Sequence, residues 1–385
     1  MSEINASNFK KEHGDLAPDL VGVTELTSPY FFVPPSGNTA ERPSDCEPGT
    51  LRFNTDIGSL EVFRGKTIGW ESIQRRDGQY LGGDSANSVT TTSTNSNRGT
   101  GTRAIFGSGE NHPSSTIQFV TISTFGNAQD FGDLNQNLYW NAGSASRTRG
   151  LISGGSPGSG VDTIQFVTIA SLGNAADFGN LTTGRYQLGA FSSQTRSVVA
   201  GGSGSDVMDY VTIASEGNAV DFGDLSGNCV YPFTASSTTR GIIAGGGTPS
   251  VKNTIEFVTI STTGNVSDFG DLPNPRFEMG CQSTSATRAV FGGGKTPTTV
   301  NTMEFITMAS TGNAIDFGDL TRTTYQVPSG VVSSPTRGLA CGGYPSPNLV
   351  IDAFEIATTG DSVDFGDAAA SANSGYALSS GHGGL

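Results

Sequence analysis

Arg288-Ala-Val-Phe-Gly-Gly-Gly294, Met303-Glu-Phe-Ile-Thr-Met308 and Ala314-Ile-Asp-Phe-Gly-Asp-Leu320 are three pieces of one phrase. The chain writes that phrase six times between Thr102 and Asp367. A Thr-Arg pair opens each copy, with its arginine at Arg103, Arg149, Arg196, Arg240, Arg288 and Arg337. Asp-Phe-Gly closes it, with its aspartate at Asp130, Asp177, Asp221, Asp268, Asp316 and Asp364. Successive aspartates lie 47, 44, 47, 48 and 48 residues apart.

Within the copy quoted above, Phe277 to Ser283 reads as a first strand a, Arg288 to Gly294 as b, Met303 to Met308 as c and Ala314 to Leu320 as d. Four short antiparallel strands at this period make one blade of a β-propeller. The first copy starts at strand b, and the chain closes on an extra strand a in GYALSSGHG (375–383). The expected fold is therefore all-β: a six-bladed propeller over 102–385 whose C-terminal strand completes the first blade, leaving no free edge.

The spacing from the strand c aromatic (Phe119, Phe166, Tyr210, Phe257, Phe305, Phe354) to the following aspartate is 11 residues in five copies and 10 in the last. The spans holding the b–c and d–a loops vary. In an up-and-down blade these loops share one face, and variable loops on a rigid scaffold are where binding is built. His112, Tyr344 and Asn348 are the candidate contacts there. The arginines and aspartates of the repeat fall on the constant face, where a six-fold set of Arg–Asp pairs is expected. The second aspartate (Asp133, Asp224, Asp271, Asp319, Asp367, with Asn180 in one copy) is expected to cap a turn with its carboxylate.

A net charge of -14 argues against a nucleic-acid partner and against docking on an anionic membrane. The N-terminus lacks an apolar signal core, and no apolar run approaches the length that spans a bilayer. Cys46, Cys229, Cys281 and Cys341 show no CxxC spacing, and the last three fall in expected strands as small core residues. Asp-Phe-Gly occurs without the other kinase motifs, and Gly292-Gly-Gly-Lys-Thr296 lacks the first glycine of a P-loop. With three histidines and no Ser/His/Asp set, no catalytic residue, metal site or cofactor is expected, and the chain reads as a non-enzyme.

The repeat resembles Kelch propellers. Arg185 and Arg276 precede strand a, Gly-Gly ends strand b at Gly154-Gly155, Gly201-Gly202, Gly245-Gly246, Gly292-Gly293 and Gly342-Gly343, and an aromatic fills strand c, while the Phe of Asp-Phe-Gly replaces the Kelch Trp. Residues 29–77 differ in character and read as a small β-hairpin module. Thr39, Ala40, Arg42, Pro43, Gly49, Leu51, Arg52, Phe53, Asn54, Thr55, Asp56, Gly58, Leu60, Glu61, Phe63, Gly65 and Trp70 resemble, in order, a module of tailed-phage tail-fibre and virion proteins. Arg64 departs from that pattern. The repeat phrase is similar to repeats in structural proteins of phages that infect marine cyanobacteria.

That resemblance implies a virion protein assembled in the host cytoplasm and often trimeric. An extended arm (1–28) and the module would contact other virion proteins, a flexible linker (78–101) would follow, and the propeller would project. The function implied is host attachment through surface polysaccharide or an outer-membrane protein. The alternative is a purely structural collar, tail or capsid decoration.

Overall fold

The computed structural model describes residues 35–43, 45–56, 59–66, 69–73, 102–107, 115–278, 281–345 and 349–385. The expected arm and linker, with His112 and Asn348, lie outside the described residues. The chain forms two compact units, whose described parts are residues 35–73 and 102–385.

The first unit is a four-stranded sheet of β1 (Ser36–Gly37), β2 (Leu51–Asn54), β3 (Ser59–Phe63) and β4 (Trp70–Ile73), paired in that order. Strand β2 inverts the usual pattern: Leu51 and Phe53 face out, and Arg52 and Asn54 are buried. The reason is Glu61, wholly buried on the neighbouring strand. Its carboxylate accepts from Arg42 through both oxygens and from Asn54 Nδ2 at 3.0 Å. Burial pushes this carboxyl up, but the hydrogen bonds from Arg42 and Asn54 and the charges of Arg42 and Arg52 outweigh it and leave it below its ordinary value. The Trp70 indole N–H donates to the Pro43 carbonyl at 3.0 Å, with its ring 5.4 Å from that of Phe63. Arg42, Asn54 and Glu61, and Pro43, Phe63 and Trp70, all among the residues that carry the resemblance, are thus joined by direct contacts.

The second unit is all-β among its described residues and built from six repeats. Repeat 1 holds β5 (Arg103–Gly107), β6 (Thr116–Thr121) and β7 (Gln129–Asp133). Repeat 2 holds β8 (Ala142–Ala145), β9 (Arg149–Ser153), β10 (Val161–Thr168) and β11 (Ala176–Arg185). Repeat 3 holds β12 (Gly189–Ser192), β13 (Arg196–Ala200), β14 (Val207–Thr212) and β15 (Val220–Asp224), and repeat 4 β16 (Phe233–Ser236), β17 (Arg240–Ala244), β18 (Thr254–Thr259) and β19 (Ser267–Asp271). Repeat 5 has β20 (Cys281–Thr284), β21 (Arg288–Gly292), a small ribbon β22 (Lys295–Thr296) and β23 (Thr298–Thr299), then β24 (Thr302–Thr307) and β25 (Ile315–Asp319). Repeat 6 has β26 (Ser329–Gly330), β27 (Arg337–Cys341), β28 (Val350–Glu355) and β29 (Val363–Asp367), and β30 (Tyr376–Ser379) follows.

Strand β30 pairs antiparallel with β5, Leu378 opposite Ile105, so the last strand supplies repeat 1 with its inner neighbour. Strand a begins later than the sequence suggests, since Phe277 and Glu278 form a turn before β20. Cys229 likewise sits in the turn before β16, where burial pushes its thiol up to about 12.

Period-two alternation explains why the repeats stack. In β5, Ala104 and Phe106 pack with Leu339, Ile351 and Phe365 of repeat 6, while Ile105 packs with Ile152 and Val167 of repeat 2. Each repeat shares an apolar cluster with the next in the same manner. At about 25 cal/mol per Å² of buried apolar area, these seams supply most of the driving force for folding.

The sixth repeat departs from the pattern. Its own sheet has three strands, β27, β28 and β29, because β26 leaves it to lie parallel between β8 and β30. The result is one nine-stranded sheet running β11-β10-β9-β8-β26-β30-β5-β6-β7. Strand β26 also touches β12, β16 and β20, so it lies among the inner strands of the other repeats. A Cβ on Gly330 would strike the carbonyl oxygens of Ala377 and Gly143, so only glycine permits this approach.

Three sets of hydrogen bonds join each repeat to the next. The Thr-Arg arginines donate from Nη1 to carbonyls: Arg103 to Ile169, Arg149 to Ile213, Arg196 to Ile260, Arg240 to Met308, Arg288 to Ile356 and Arg337 to Ile122. The expected Arg–Asp pairs are therefore corrected. Asp130, Asp177, Asp221, Asp268, Asp316 and Asp364 lie exposed at the surface, and main-chain oxygens of the following repeat take the guanidinium groups. The exposed positions keep these carboxylates hydrated, whereas a bare carbonyl at the end of strand c needs a donor.

The second set is also cyclic. Asn174 Oδ1 accepts from the Asp133 N–H, Asn218 from Asn180, Asn265 from Asp224, Asn313 from Asp271, Asp361 from Asp319 and Asn127 from Asp367. Here the second aspartate receives a cap through its main chain rather than giving one. The third set is main-chain pairing alongside it, as in Gly312 N to Phe269 O at 2.7 Å. This contact explains the glycine of Asp-Phe-Gly: a Cβ on Gly270 would lie 2.5 Å from the Gly312 carbonyl.

The tail after β30 turns inward. His382 is 3% exposed, and its Nε2 lies 3.1 Å from Ala145 O and 3.3 Å from Ser192 Oγ. Gly383 N donates to Thr284 Oγ1 at 2.8 Å. Repeats 2, 3 and 5 thus all hold the tail.

Candidate functional site

The d–a connections of the six repeats meet at one place. Trp140, Gln187, Tyr231, Glu278, Gln326 and Ser374 occupy equivalent positions just before strand a, and all six have positive φ, between 52° and 62°. A non-glycine residue in this region is uncommon, and each costs of order 1 kcal/mol. Main-chain hydrogen bonds link them head to tail: Tyr231 N to Gln187 O, Gln187 N to Trp140 O, Trp140 N to Ser374 O, Ser374 N to Gln326 O and Gln326 N to Glu278 O. The left-handed turn lets each N–H reach the carbonyl of its neighbour rather than continue the strand.

Their side chains form a polar and aromatic mouth. Trp140 stacks on Tyr186 at 5.4 Å and 25°, with Tyr139 edge-on at 4.8 Å. Gln187 Nε2 donates to the Tyr231 hydroxyl at 2.5 Å. Glu278 pairs with Lys295 at 2.5 Å, and the Lys295 ammonium lies 3.7 Å from the Tyr325 ring centroid. Burial pushes the Tyr325 phenol up, against the pull of that ammonium. Beneath the mouth is a hollow of about 20 Å³, room for one water-sized group, lined by Trp140, Asn141, Gln187, Tyr231, Gln326 and Ser374 among others.

Of the residues singled out in the sequence, Tyr344 belongs to this neighbourhood. It is 37% exposed, bridges Tyr325 through main-chain hydrogen bonds in both directions, and sets its ring at 71° to that of Tyr325. The bridges Tyr139–Ser156, Val230–Gly247, Phe277–Lys295 and Tyr325–Tyr344 bring b–c and d–a loops together. The twelve arginines and aspartates lie apart from the mouth, at the starts of strands b and d.

Sequence reasoning missed the six turn residues. A signal was present: each follows by six positions the residue after the second aspartate, as Trp140 follows Leu134 and Gln326 follows Leu320. The side chain differs in nearly every copy, so the regularity shows in spacing alone.

The arginines ahead of strand a are structural. Arg185 is 2% exposed, donates to Gly201 O and Val207 O at 2.7 Å each, and pairs with Asp209 at 2.6 Å. Arg276 does the same beneath Gly293 and pairs with Glu304. Repeats 1 and 2 carry neutral Gln118 and Gln165 at the carboxylate position, where they bond the main chain of Ala370 and Asn135. No family model and no curated protein matches this chain.

Proposed function

We propose that the six repeats are blades of a closed, Kelch-like, six-bladed propeller, and that the chain is a phage virion adhesin. The observation that carries this reading is the mouth: Trp140 and Tyr231 line the hollow with the amides of Asn141, Gln187 and Gln326, Tyr186 stacks on Trp140, and the Tyr325–Tyr344 pair adjoins Gln326 in the chain. Aromatic rings with a polar tip are the side chains that make adhesive surfaces. Closure of the ring is supported by the seam between repeats 6 and 1, which carries the arginine and main-chain bonds of the other five and the asparagine bond that Asp361 replaces at one seam. The N-terminal module is the particle-side anchor, in keeping with its resemblance to tail-fibre modules. In a trimer, several weak mouths would add through avidity.

The test is binding of the full chain to intact cyanobacterial cells and to their purified surface polysaccharide. Binding is expected, and Tyr344→Ala and Tyr325→Ala should weaken it. Consistent failure to bind over a broad host panel overturns the reading.

A scaffold role has one observation in its favour. Val220, Ile315 and Val363 are 51%, 57% and 54% exposed on the outermost strands of repeats 3, 5 and 6, apolar side chains that suit packing against other virion subunits. Images of the assembled particle with the repeats wedged between neighbours would favour this role.

A further inference from the structure

We propose that the mouth is a sugar-binding site: a neutral pyranose lies on the Trp140–Tyr186 stack and sends one hydroxyl or hydroxymethyl group into the hollow, where the Asn141 amide receives it. The proposal deepens the adhesin reading and rests on it for the biological source of the sugar.

Asn141 is the first observation. It is 0% exposed, and neither Oδ1 nor Nδ2 has a hydrogen-bond partner. A buried amide is costly unless a water, an ion or an incoming group completes its hydrogen bonds. The equivalent positions in repeats 3, 4 and 6 are Leu188, Pro232 and Val327, so the fold does not require an amide here.

The size of the hollow decides how a ligand fits. About 20 Å³ holds one hydroxyl-sized group and excludes a ring. The ring must sit outside, where Trp140 and Tyr186 are partly exposed and nearly parallel. Stacked aromatic faces suit the apolar C–H face of a pyranose, and the Gln187 amide oxygen offers an acceptor at its edge. Among the described residues, the hollow is lined by no charged side chain, which suits a neutral sugar.

The experiment is saturation-transfer NMR and calorimetry on the full chain with glucose, galactose, mannose and their N-acetyl derivatives. At least one should bind, and Asn141→Leu and Trp140→Ala should each weaken it by about tenfold or more. Asn141→Leu copies repeat 3, so an unchanged melting temperature will establish that it folds. Binding that survives both substitutions, or no binding by any of these sugars, overturns the proposal. Whole-cell binding separates the two readings. If cells bind and Asn141→Leu leaves that unchanged, the adhesin reading stands and this site falls. If a sugar binds here and no host surface does, the site stands and the adhesin reading falls.

Discussion

Arg337 donates from Nη1 to the carbonyl of Ile122 at 3.1 Å, and its guanidinium lies 4.8 Å from the ring centroid of Phe125. In the other repeats this cation covers the strand c aromatic of its own copy, as Arg196 covers Tyr210 at 4.2 Å. In repeat 6 the register places Ala353, not Phe354, opposite Leu339 and Val363. Phe354 instead packs edge-on against Phe317 of repeat 5 at 5.5 Å. Phe125 of repeat 1 fills the gap, so the seam that joins the two ends of the repeat array has its own stacking partner.

Arg337→Ala is expected to destabilise the second unit by about 2–4 kcal/mol, the sum of a charge-assisted hydrogen bond and a cation–π contact. Phe125 is 55% exposed, so Phe125→Ala should cost only about 1 kcal/mol. Chemical denaturation of both single variants and the double should give a coupling of at least about 0.5 kcal/mol. Strict additivity would mean that the ring and the cation do not interact.

Removing one member of a buried pair should hurt more than removing both. Arg276→Met leaves Glu304 buried and unpaired, at a cost of about 3–5 kcal/mol. Glu304→Gln added to it should recover much of the loss, because Gln118 and Gln165 already occupy that position in repeats 1 and 2. Thermal melts of the wild type and the two variants check the order.

Gly270→Ala should destabilise by more than about 3 kcal/mol, since the residue has φ of 149° and its new Cβ would meet the Gly312 main chain at 2.5 Å. Gly264, also at positive φ but with open space around it, is the control. Its substitution should cost only the backbone strain. Equal losses at the two sites, measured by urea denaturation, would remove the steric explanation.

The tail carries a pH dependence. Burial pushes the His382 imidazole down to about 4, opposed by its hydrogen bond to Ala145 O. The unfolded chain, with an ordinary value of about 6.5, therefore holds more protons between these limits. Stability should be level above neutrality and fall as pH drops from about 6.5 toward 4, by up to about 3 kcal/mol from this group. His382→Gln should flatten that part of the profile. Melting temperatures of the two proteins across the interval, compared as differences, isolate the histidine from the carboxylates.

The repeat phrase disclosed the strands because each lies in a local pattern: Arg288 to Gly292 and Thr302 to Thr307 follow directly from alternation and the glycines that stop them. The pairing of Tyr376–Ser379 with Arg103–Gly107 was legible from the offset of the repeat. The roles of the arginines were not, because charge suggests a carboxylate partner and the carbonyls that accept them belong to another repeat. Strand β26 was hidden for a similar reason. Nothing local in Ser329-Gly330 says that it will leave its own sheet. Tyr344 could be placed on the loop face, whereas Asn141 could not be recognised, since an isolated asparagine becomes informative only once its burial is known.

The bond from Arg103 N to Ser380 Oγ joins residues 277 positions apart. Closing a loop of that length costs about 5 kcal/mol of chain entropy before any contact compensates it. Folding of this unit is therefore expected to be slow. During synthesis, strands β5 to β7 are the first of this unit to emerge, and they wait for β30, the last strand of the unit, with an unpaired edge exposed throughout. Chaperone dependence and aggregation of nascent or truncated chains should concentrate in that interval.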